Sequence, residues 1–62
     1  MNVGETWEVI DGRYTILVLG FHTEDGTEFV RCVTLVSSHP NILAGSVGLW
    51  HPRNLEDAKR LA

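Results

Sequence analysis

Apolar and polar residues alternate along much of the first half of the chain, with the two-residue period that is typical of β-strands. Two Asp-Gly pairs, Asp11-Gly12 and Asp25-Gly26, interrupt this pattern, and each is flanked by β-branched and aromatic residues. A two-residue type I′ turn needs positive φ at both central positions, which Asp and Gly tolerate. The pattern therefore predicts two β-hairpins that share their middle strand.

The two turns also predict a register for the three strands. The pairs expected to lie opposite each other are Val9 with Tyr14, Trp7 with Ile16, His22 with Phe29, Leu19 with Cys32, Val18 with Val33, and Ile16 with Leu35. One face of the sheet then forms the core, because cross-strand aromatic and β-branched pairs stabilise such a face. Its predicted members are Trp7, Val9, Tyr14, Ile16, Val18, Val33 and Leu35.

The opposite face of this predicted sheet is apolar as well, whereas a sheet with one solvated face alternates cleanly. It carries Leu17, Leu19, Phe21, Val30, Cys32 and Val36. Two explanations stay open. Either Gly20 marks a bend at which the buried face changes, as in small closed barrels, or another segment or subunit covers this face. The second explanation predicts self-association through Leu17, Leu19 and Val30, for which a place in the core is the alternative.

The C-terminal third is less regular. Residues 37–41 are turn-forming types, and Val47–Trp50 predicts a fourth strand that ends before the next proline, since the residue before proline favours extended geometry. Asn54 could then cap a short helix. The alternative is a single 3₁₀ turn over residues 54–57 followed by a short strand over residues 59–62.

The length predicts one small domain, residues 1–62, with a mass of 6.9 kDa. Folding would leave roughly 4,000 Å² of accessible surface and bury about 60% of that of the open chain. The apolar part of the buried area contributes about 90 kcal/mol at ~25 cal/mol per Å². Ordering the chain costs about 90 kcal/mol. A lone monomer is therefore expected to be marginally stable, which favours a self-partner or a larger complex.

Charge and cysteine content exclude several classes of protein. The net charge is −3, and the five basic residues are scattered, whereas a nucleic-acid binder carries a basic stripe. The one cysteine, Cys32, has no intrachain partner for a disulfide, which favours either a reducing cytosol or a chain that is indifferent to redox conditions. No signal peptide is recognisable, and the longest apolar run, Ile16–Leu19, is too short to cross a bilayer. We expect a cytoplasmic protein without a membrane segment.

No catalytic, metal or cofactor site is expected. The potential ligands His22, Cys32, His39 and His51 lack the close spacing of structural zinc sites. Cys32 lies in the middle of a predicted strand, where a cysteine is usually a small buried hydrophobe. The carboxylates cluster at turns, where solvation explains them, and no glycine-rich phosphate loop is present. The sequence therefore predicts a protein that is not an enzyme.

Surface recognition remains, and the most suggestive stretch is Leu49-Trp50-His51-Pro52-Arg53, because Trp and Arg dominate binding hot spots. The residues predicted to contact a partner are Phe21, Trp50, His51 and Arg53. For Trp50 the alternative is that it closes one end of a small β-barrel from inside.

The stretch from Gly4 to Gly20, with its Trp strand, its Asp11-Gly12-Arg13 turn and an aliphatic strand, resembles the opening of short SH3-like barrel proteins of actinobacteria and their bacteriophages. The closing Arg60-Leu61-Ala62 resembles the last short strand of such barrels. Residues 37–46 depart from the pattern. The resemblance implies a small five-stranded barrel used as a binding module, without catalytic residues.

Together these observations predict a mainly β protein, a small SH3-like barrel of about five antiparallel strands with a short C-terminal helix or 3₁₀ turn. The function expected is non-catalytic binding of a protein, with a phage protein engaging a host factor or itself as the leading case. One alternative is a barrel that binds nucleic acid by base stacking and arginine–phosphate contacts. The other is a structural subunit of a viral or cellular assembly.

Overall fold

The computed structural model describes all residues 1–62 and contains five strands and one 3₁₀ helix. The strands are β1 (Thr6–Val9), β2 (Tyr14–Glu24), β3 (Thr27–Ser37), β4 (Val47–Trp50) and β5 (Lys59–Arg60), and the 3₁₀ helix spans Pro52–Leu55. All neighbouring strands are antiparallel, in the order β4-β3-β2-β1-β5. The predicted mainly β class with about five antiparallel strands is confirmed. The sheet is open, with β4 and β5 as its two edges.

Both predicted turns are present. Asp11 and Gly12 have φ of 53° and 80°, and Asp25 and Gly26 have 49° and 78°, the positive signs that a type I′ turn requires. The first turn is closed by the Arg13 amide, which donates to the Ile10 carbonyl at 3.0 Å. The register of the first hairpin is as predicted, with Val9 opposite Tyr14 and Trp7 opposite Ile16.

The predicted register of the second hairpin is right near its turn and wrong in its middle. His22 lies opposite Phe29 as expected, but Val18 pairs with Cys32 rather than with Val33. The cause is a pair of β-bulges, in which Leu19 is the extra residue of β2 and Leu35 is the extra residue of β3. Each bulge shifts the register by one residue, which exchanges the two faces of a strand. Between the bulges, the predicted pairs Leu19 with Cys32, Val18 with Val33, and Ile16 with Leu35 are therefore absent.

This shift changes which residues of β3 form the core. Cys32 and Thr34 are fully buried, whereas Val33 is half-buried and Leu35 is exposed. The buried residues are Val9, Tyr14, Ile16, Val18, Val30, Cys32, Thr34 and Trp50. Val9 of β1 and Trp50 of β4 belong to one cluster although two strands separate β1 from β4, so the sheet curls around its core. The accessible surface is 4032 Å², close to the roughly 4,000 Å² expected for this mass.

The C-terminal segment forms a 3₁₀ helix and a short strand, and the predicted short helix is absent. The 3₁₀ helix begins two residues earlier than expected, because His51 rather than Asn54 caps it: the His51 Nδ1 accepts from the Arg53 amide at 3.1 Å. Leu55 and Ala58 pack against the core. No helical segment of the protein has the length and apolar character that a bilayer crossing requires.

Glu5 connects the N-terminus to the sheet. Its Oε1 accepts from the Asn2 amide at 2.7 Å and from the Trp7 indole at 3.1 Å. Its Oε2 lies 3.5 Å from the Arg60 guanidinium on β5. The hydrogen bond from the Asn2 amide lowers the pKa of this carboxyl, and those from Trp7 and the Asn2 side chain and the charge of Arg60 act in the same direction, against the effect of desolvation.

Candidate functional site

A groove of about 590 Å³ runs along strand β4 and is the largest concave feature of the surface. Ligand pockets commonly have volumes of roughly 300–1,000 Å³, so the groove is large enough for several side chains. Its apolar lining residues are Ile10, Tyr14, Ile42, Leu43, Val47, Leu49 and Trp50, and the others are Thr34, Asn41, Ser46, Gly48 and Asn54. We call this set the β4 groove.

Tyr14 and Trp50 meet at the base of the β4 groove. Their rings lie 5.4 Å apart at 69°, the edge-to-face arrangement that aromatic pairs favour. Tyr14 is 6% exposed and Trp50 is 8% exposed, so both are members of the core that reach the groove only with an edge. The base is therefore rigid and is set by the core itself.

The loop between β3 and β4 forms one wall, and its own hydrogen bonds shape it. The Ser37 hydroxyl lies within hydrogen-bond distance of the carbonyl oxygens of His39, at 2.9 Å, and of Ile42. The Gly45 amide donates to the Thr34 carbonyl at 2.7 Å, and Gly45 has a φ of 91°, which favours glycine. These contacts hold the loop against β3 and place Ile42 and Leu43 beside β4.

Ile10 lines the groove from the turn between β1 and β2, in a strained backbone conformation. Its φ of 53° lies in the left-handed region, which is a genuine outlier for a β-branched residue. Its side chain packs partly against the core and lines the groove. Residues held in such conformations cost about 1–3 kcal/mol and cluster at binding sites and switch regions. The strain at Ile10 thus falls on the same surface as the cavity.

Strand β4 contributes all four of its residues to the groove, because one of its two edges has no partner. On one side β4 pairs with β3 through Val33 with Val47 and Val30 with Trp50. On the other side no strand follows in the sheet. Val47 is 61% exposed and Gly48 is exposed too. An unpaired strand edge is a template on which another extended chain can add.

No charged side chain lines the β4 groove. Its polar groups are the amides of Asn41 and Asn54 and the hydroxyls of Thr34 and Ser46, which can donate and accept hydrogen bonds without carrying charge. A charged ligand placed here would lose hydration without gaining an ionic partner. The lining therefore fits an uncharged ligand.

The groups that support catalysis or metal binding are not gathered at the groove. Burial raises the pKa of the Cys32 thiol to about 11, so it stays protonated at neutral pH and is a poor nucleophile. No three side chains of His, Cys, Asp or Glu lie together in a way that could hold a metal ion. What the groove offers is shape, apolar surface and uncharged hydrogen-bonding groups.

The residues predicted to contact a partner do not form one surface. Trp50 lines the β4 groove from the core. His51 is engaged in capping the 3₁₀ helix, and its ring packs edge-on against Phe29 at 5.5 Å. Arg53 is exposed, with its Nε 3.4 Å from the His51 Nδ1. Phe21 lies opposite Val30 on the second hairpin and is 43% exposed.

The residues predicted for self-association are divided between the core and the surface. Val30 is 7% exposed and belongs to the core. Leu17 is half-buried and lies opposite Val33 on the face of the sheet that points away from the core, and Leu19 is the exposed extra residue of the β2 bulge. Only these two are accessible to a second subunit in this fold.

Sequence reasoning missed Ile10, Ile42 and Leu43 as lining residues of the groove. Ile42 and Leu43 are two adjacent aliphatic residues within a stretch of turn-forming types, and Leu43 is 71% exposed. An aliphatic pair in an otherwise polar loop was the available signal. Ile10 gave no such signal, because a residue directly before Asp11-Gly12 is expected at the end of an ordinary strand.

Comparisons with known proteins provide no relative for this chain. No family model, no curated protein and no solved structure matches it. The resemblance of residues 4–20 to short SH3-like barrel proteins therefore stays a prediction that rests on the residues of the first two strands.

Proposed function

We propose that this protein is a non-catalytic binding module that takes up an extended, uncharged segment of a protein partner along β4. The observation that carries the proposal is the β4 groove, which is free of charged residues and runs beside an unpaired strand edge. A bound segment would add to β4 as a further strand. Main-chain hydrogen bonds would then supply affinity, and alternate side chains would enter the groove and supply selectivity.

The apolar residues of the groove determine which segment fits. Ile42 and Leu43 line the groove from the loop between β3 and β4, and Ile10 lines it from the turn between β1 and β2. In an added strand every second side chain points to the same face, so the groove would accept aliphatic residues at alternating positions. Asn41 and Asn54 could hydrogen-bond to polar groups of the segment.

We further propose that the curled sheet is a small SH3-like barrel left open between β4 and β5. Five antiparallel strands and a core shared by β1 and β4 support this assignment. The buried thiol of Cys32, which has no disulfide partner, supports a reducing cytoplasm as the compartment. An origin in a bacteriophage, with a host factor as partner, is the expectation that the resemblance adds.

The proposal is tested by titrating the protein with a capped eight-residue peptide of alternating Val and Thr while recording amide chemical shifts. We expect saturable shifts at Val47–Trp50 and in the loop around Leu43. The same peptide with Lys at every Val position should bind much more weakly, because the groove has no charge to match it. Shifts confined to other parts of the sheet, or no saturation, would contradict the proposal.

A pair of variants separates binding from folding. Leu43→Glu places a carboxylate on an exposed wall of the groove and should weaken peptide binding at least about tenfold, or ~1.4 kcal/mol. Val36→Glu makes the same change at an exposed residue away from the groove and should bind normally. Equal affinity of both variants would exclude the groove. Trp50→Ala is unsuitable because Trp50 is buried and its loss would cost about 3–5 kcal/mol of stability.

A further inference from the structure

Ile10 lies on the core side of the sheet, although the alternation of strand β1 would place it on the other side. Val9, the last residue of β1, is fully buried and belongs to the core cluster. Successive residues of a regular strand point to opposite faces, so a regular continuation would turn Ile10 away from the core. Instead Ile10 is half-buried, packs against the same cluster as Val9 and lines the β4 groove. Its φ of 53° ends the alternation at this residue.

The Asp-Gly turn by itself does not require this conformation at the residue before it. The second turn, Asp25-Gly26, has the same positive φ at both of its residues. Glu24 precedes that turn as Ile10 precedes the first one, yet Glu24 has no positive φ and pairs with Thr27. A positive φ is a genuine outlier for a β-branched residue. The strain at Ile10 therefore comes from the placement of its side chain and not from the turn.

Ile10 also lies between two cavities of different character. The β4 groove has no charged lining residue. A second cavity, of about 330 Å³, is lined by Ile10, Asp11, Arg53, Asn54, Glu56 and Asp57. Three carboxylates and one guanidinium thus surround this second cavity, which we call the charged cavity. Because Ile10 and Asn54 line both cavities, the groove adjoins the charged cavity at these two residues.

From this placement we infer that Ile10 is a specificity-determining residue of the β4 groove, which restricts the nearest side chain of the bound segment to an uncharged, aliphatic one. The inference rests on the proposed function, since it concerns the same groove. Ile10 extends the apolar lining up to the boundary with the charged cavity. Residues in strained conformations persist where the surrounding structure holds them, and they cluster at ligand-binding sites.

The chemistry of the boundary explains the selectivity. With Ile10 in place, an aliphatic side chain of the segment gains an apolar contact, whereas a charged one loses hydration without gaining a partner. Without the Ile10 side chain, the aliphatic contact is lost and the groove opens toward three carboxylates. A lysine of the segment would then lie near negative charge. Truncation of Ile10 should therefore weaken the choice of valine over lysine at one position of the segment.

The test is a set of peptide titrations with the wild type and Ile10→Ala. The peptides are the capped eight-residue Val–Thr peptide and two others, in which Lys replaces only the first or only the last Val. The wild type should prefer the Val–Thr peptide over both. In Ile10→Ala the preference over one of the two should fall about tenfold, since one methylene in an apolar pocket is worth roughly that much. The preference over the other should stay unchanged, because only one end of the segment lies near residue 10.

Two further variants support this comparison. Ile10→Val keeps a β-branched residue and should change the preference in the same direction by a smaller factor, which covers the case that Ile10→Ala does not fold. Leu43→Ala is the matched control, because Leu43 lines the β4 groove but not the charged cavity. It should weaken binding of the Val–Thr peptide and leave the preference affected by Ile10→Ala as in the wild type.

Urea unfolding tests the strain at Ile10 without any peptide. Glycine adopts a positive φ without the steric cost of a Cβ, so Ile10→Gly should unfold at a higher urea concentration than Ile10→Ala. At Glu24, which has no positive φ, the order should be reversed, because glycine within a strand is less stable than alanine. The pair Glu24→Gly and Glu24→Ala therefore serves as the control for the second turn.

The possible outcomes distinguish this inference from the proposed function. If the wild type binds the Val–Thr peptide and Ile10→Ala keeps the full preference over both Lys peptides, the inference is wrong and the proposed function stands. If the wild type binds no peptide, both are wrong. An equal change of preference in Leu43→Ala would show that any aliphatic residue of the groove has this effect. If Ile10→Gly is no more stable than Ile10→Ala, Ile10 is not held against a steric cost, and the structural reason for the inference is lost.

Discussion

Glu5 shows how a single side chain joins parts of the fold that are distant in sequence. One carboxylate accepts hydrogen bonds from Asn2 and Trp7 and lies beside Arg60 of the last strand. The ionised form is the one that makes these contacts, which is why the pKa is lowered in the folded state. Stability that depends on a lowered carboxyl pKa is present above the unfolded-state value and is lost as the pH falls through the folded-state value.

We expect Glu5→Gln to unfold at a lower urea concentration than the wild type at neutral pH. The difference should shrink as the pH falls below 4.5, because the carboxyl of the unfolded chain is protonated there first and that of the folded chain follows at a lower pH. Glu28→Gln removes a carboxylate from an exposed position on β3 and serves as the control, with little effect expected at either pH. If the difference in the urea concentration of unfolding between Glu5→Gln and the wild type stays constant with pH, the charge of Glu5 contributes nothing to stability.

At the scale of the elements, the turns were predictable and the bulges were not. An Asp-Gly pair imposes its turn through the backbone preferences of two adjacent residues, and that information is entirely local. The bulges at Leu19 and Leu35 depend on which residues of the paired strands β2 and β3 fill the core shared with β1 and β4, and no nearby pattern specifies them. Gly20, next to the first bulge, was the only local sign, and it suggested a bend rather than an extra residue.

The difference between local and non-local information also explains which parts of the candidate site were predictable from the sequence. The fourth strand was predictable from its apolar run and the following proline. The groove beside it was not, because it forms where a loop held by Ser37 and Gly45 meets a turn from the other end of the chain. Trp50 had two interpretations, contact with a partner and closure of one end of the fold from inside, and it is buried at 8% exposure.

The second turn offers a direct test of the backbone contribution. Gly26 has a φ of 78° with open space where a Cβ would lie, so Gly26→Ala creates strain without a clash. We expect a loss of about 1–2 kcal/mol in the free energy of unfolding, the cost of left-handed geometry for an L-residue. The measurement is chemical denaturation.

Gly20→Ala is the matched control, because Gly20 has no positive φ and equally open space around it. Its stability should stay close to that of the wild type or rise slightly, since alanine lowers the entropy of the unfolded chain. Equal destabilisation by the two substitutions would mean that loss of glycine, and not the turn geometry, is responsible.

At the scale of the whole molecule, the distribution of charge separates protein binding from nucleic-acid binding. The chain carries eight acidic and five basic residues. The exposed arginines, including Arg13 and Arg53, belong to different elements, and the groove has no basic residue. Affinity for phosphate backbones comes from a concentration of positive charge that releases counterions.

We therefore expect no retardation of single-stranded DNA or RNA in gel electrophoresis at physiological salt. Any weak binding at low ionic strength should disappear as salt is added, since only diffuse electrostatic attraction could produce it. Binding that survives at physiological salt would favour the base-stacking alternative over a protein partner.

The two bulges also set a rule for the length of the chain. The extra residue in β2 and the extra residue in β3 cancel, so the hairpin is in the same register at its two ends. Deletion of Leu19 or of Leu35 alone would shift the pairing of part of the hairpin by one residue. Loss of both would preserve every one of the cross-strand pairs. Natural insertions and deletions in this hairpin should therefore occur in pairs, with one change on each strand.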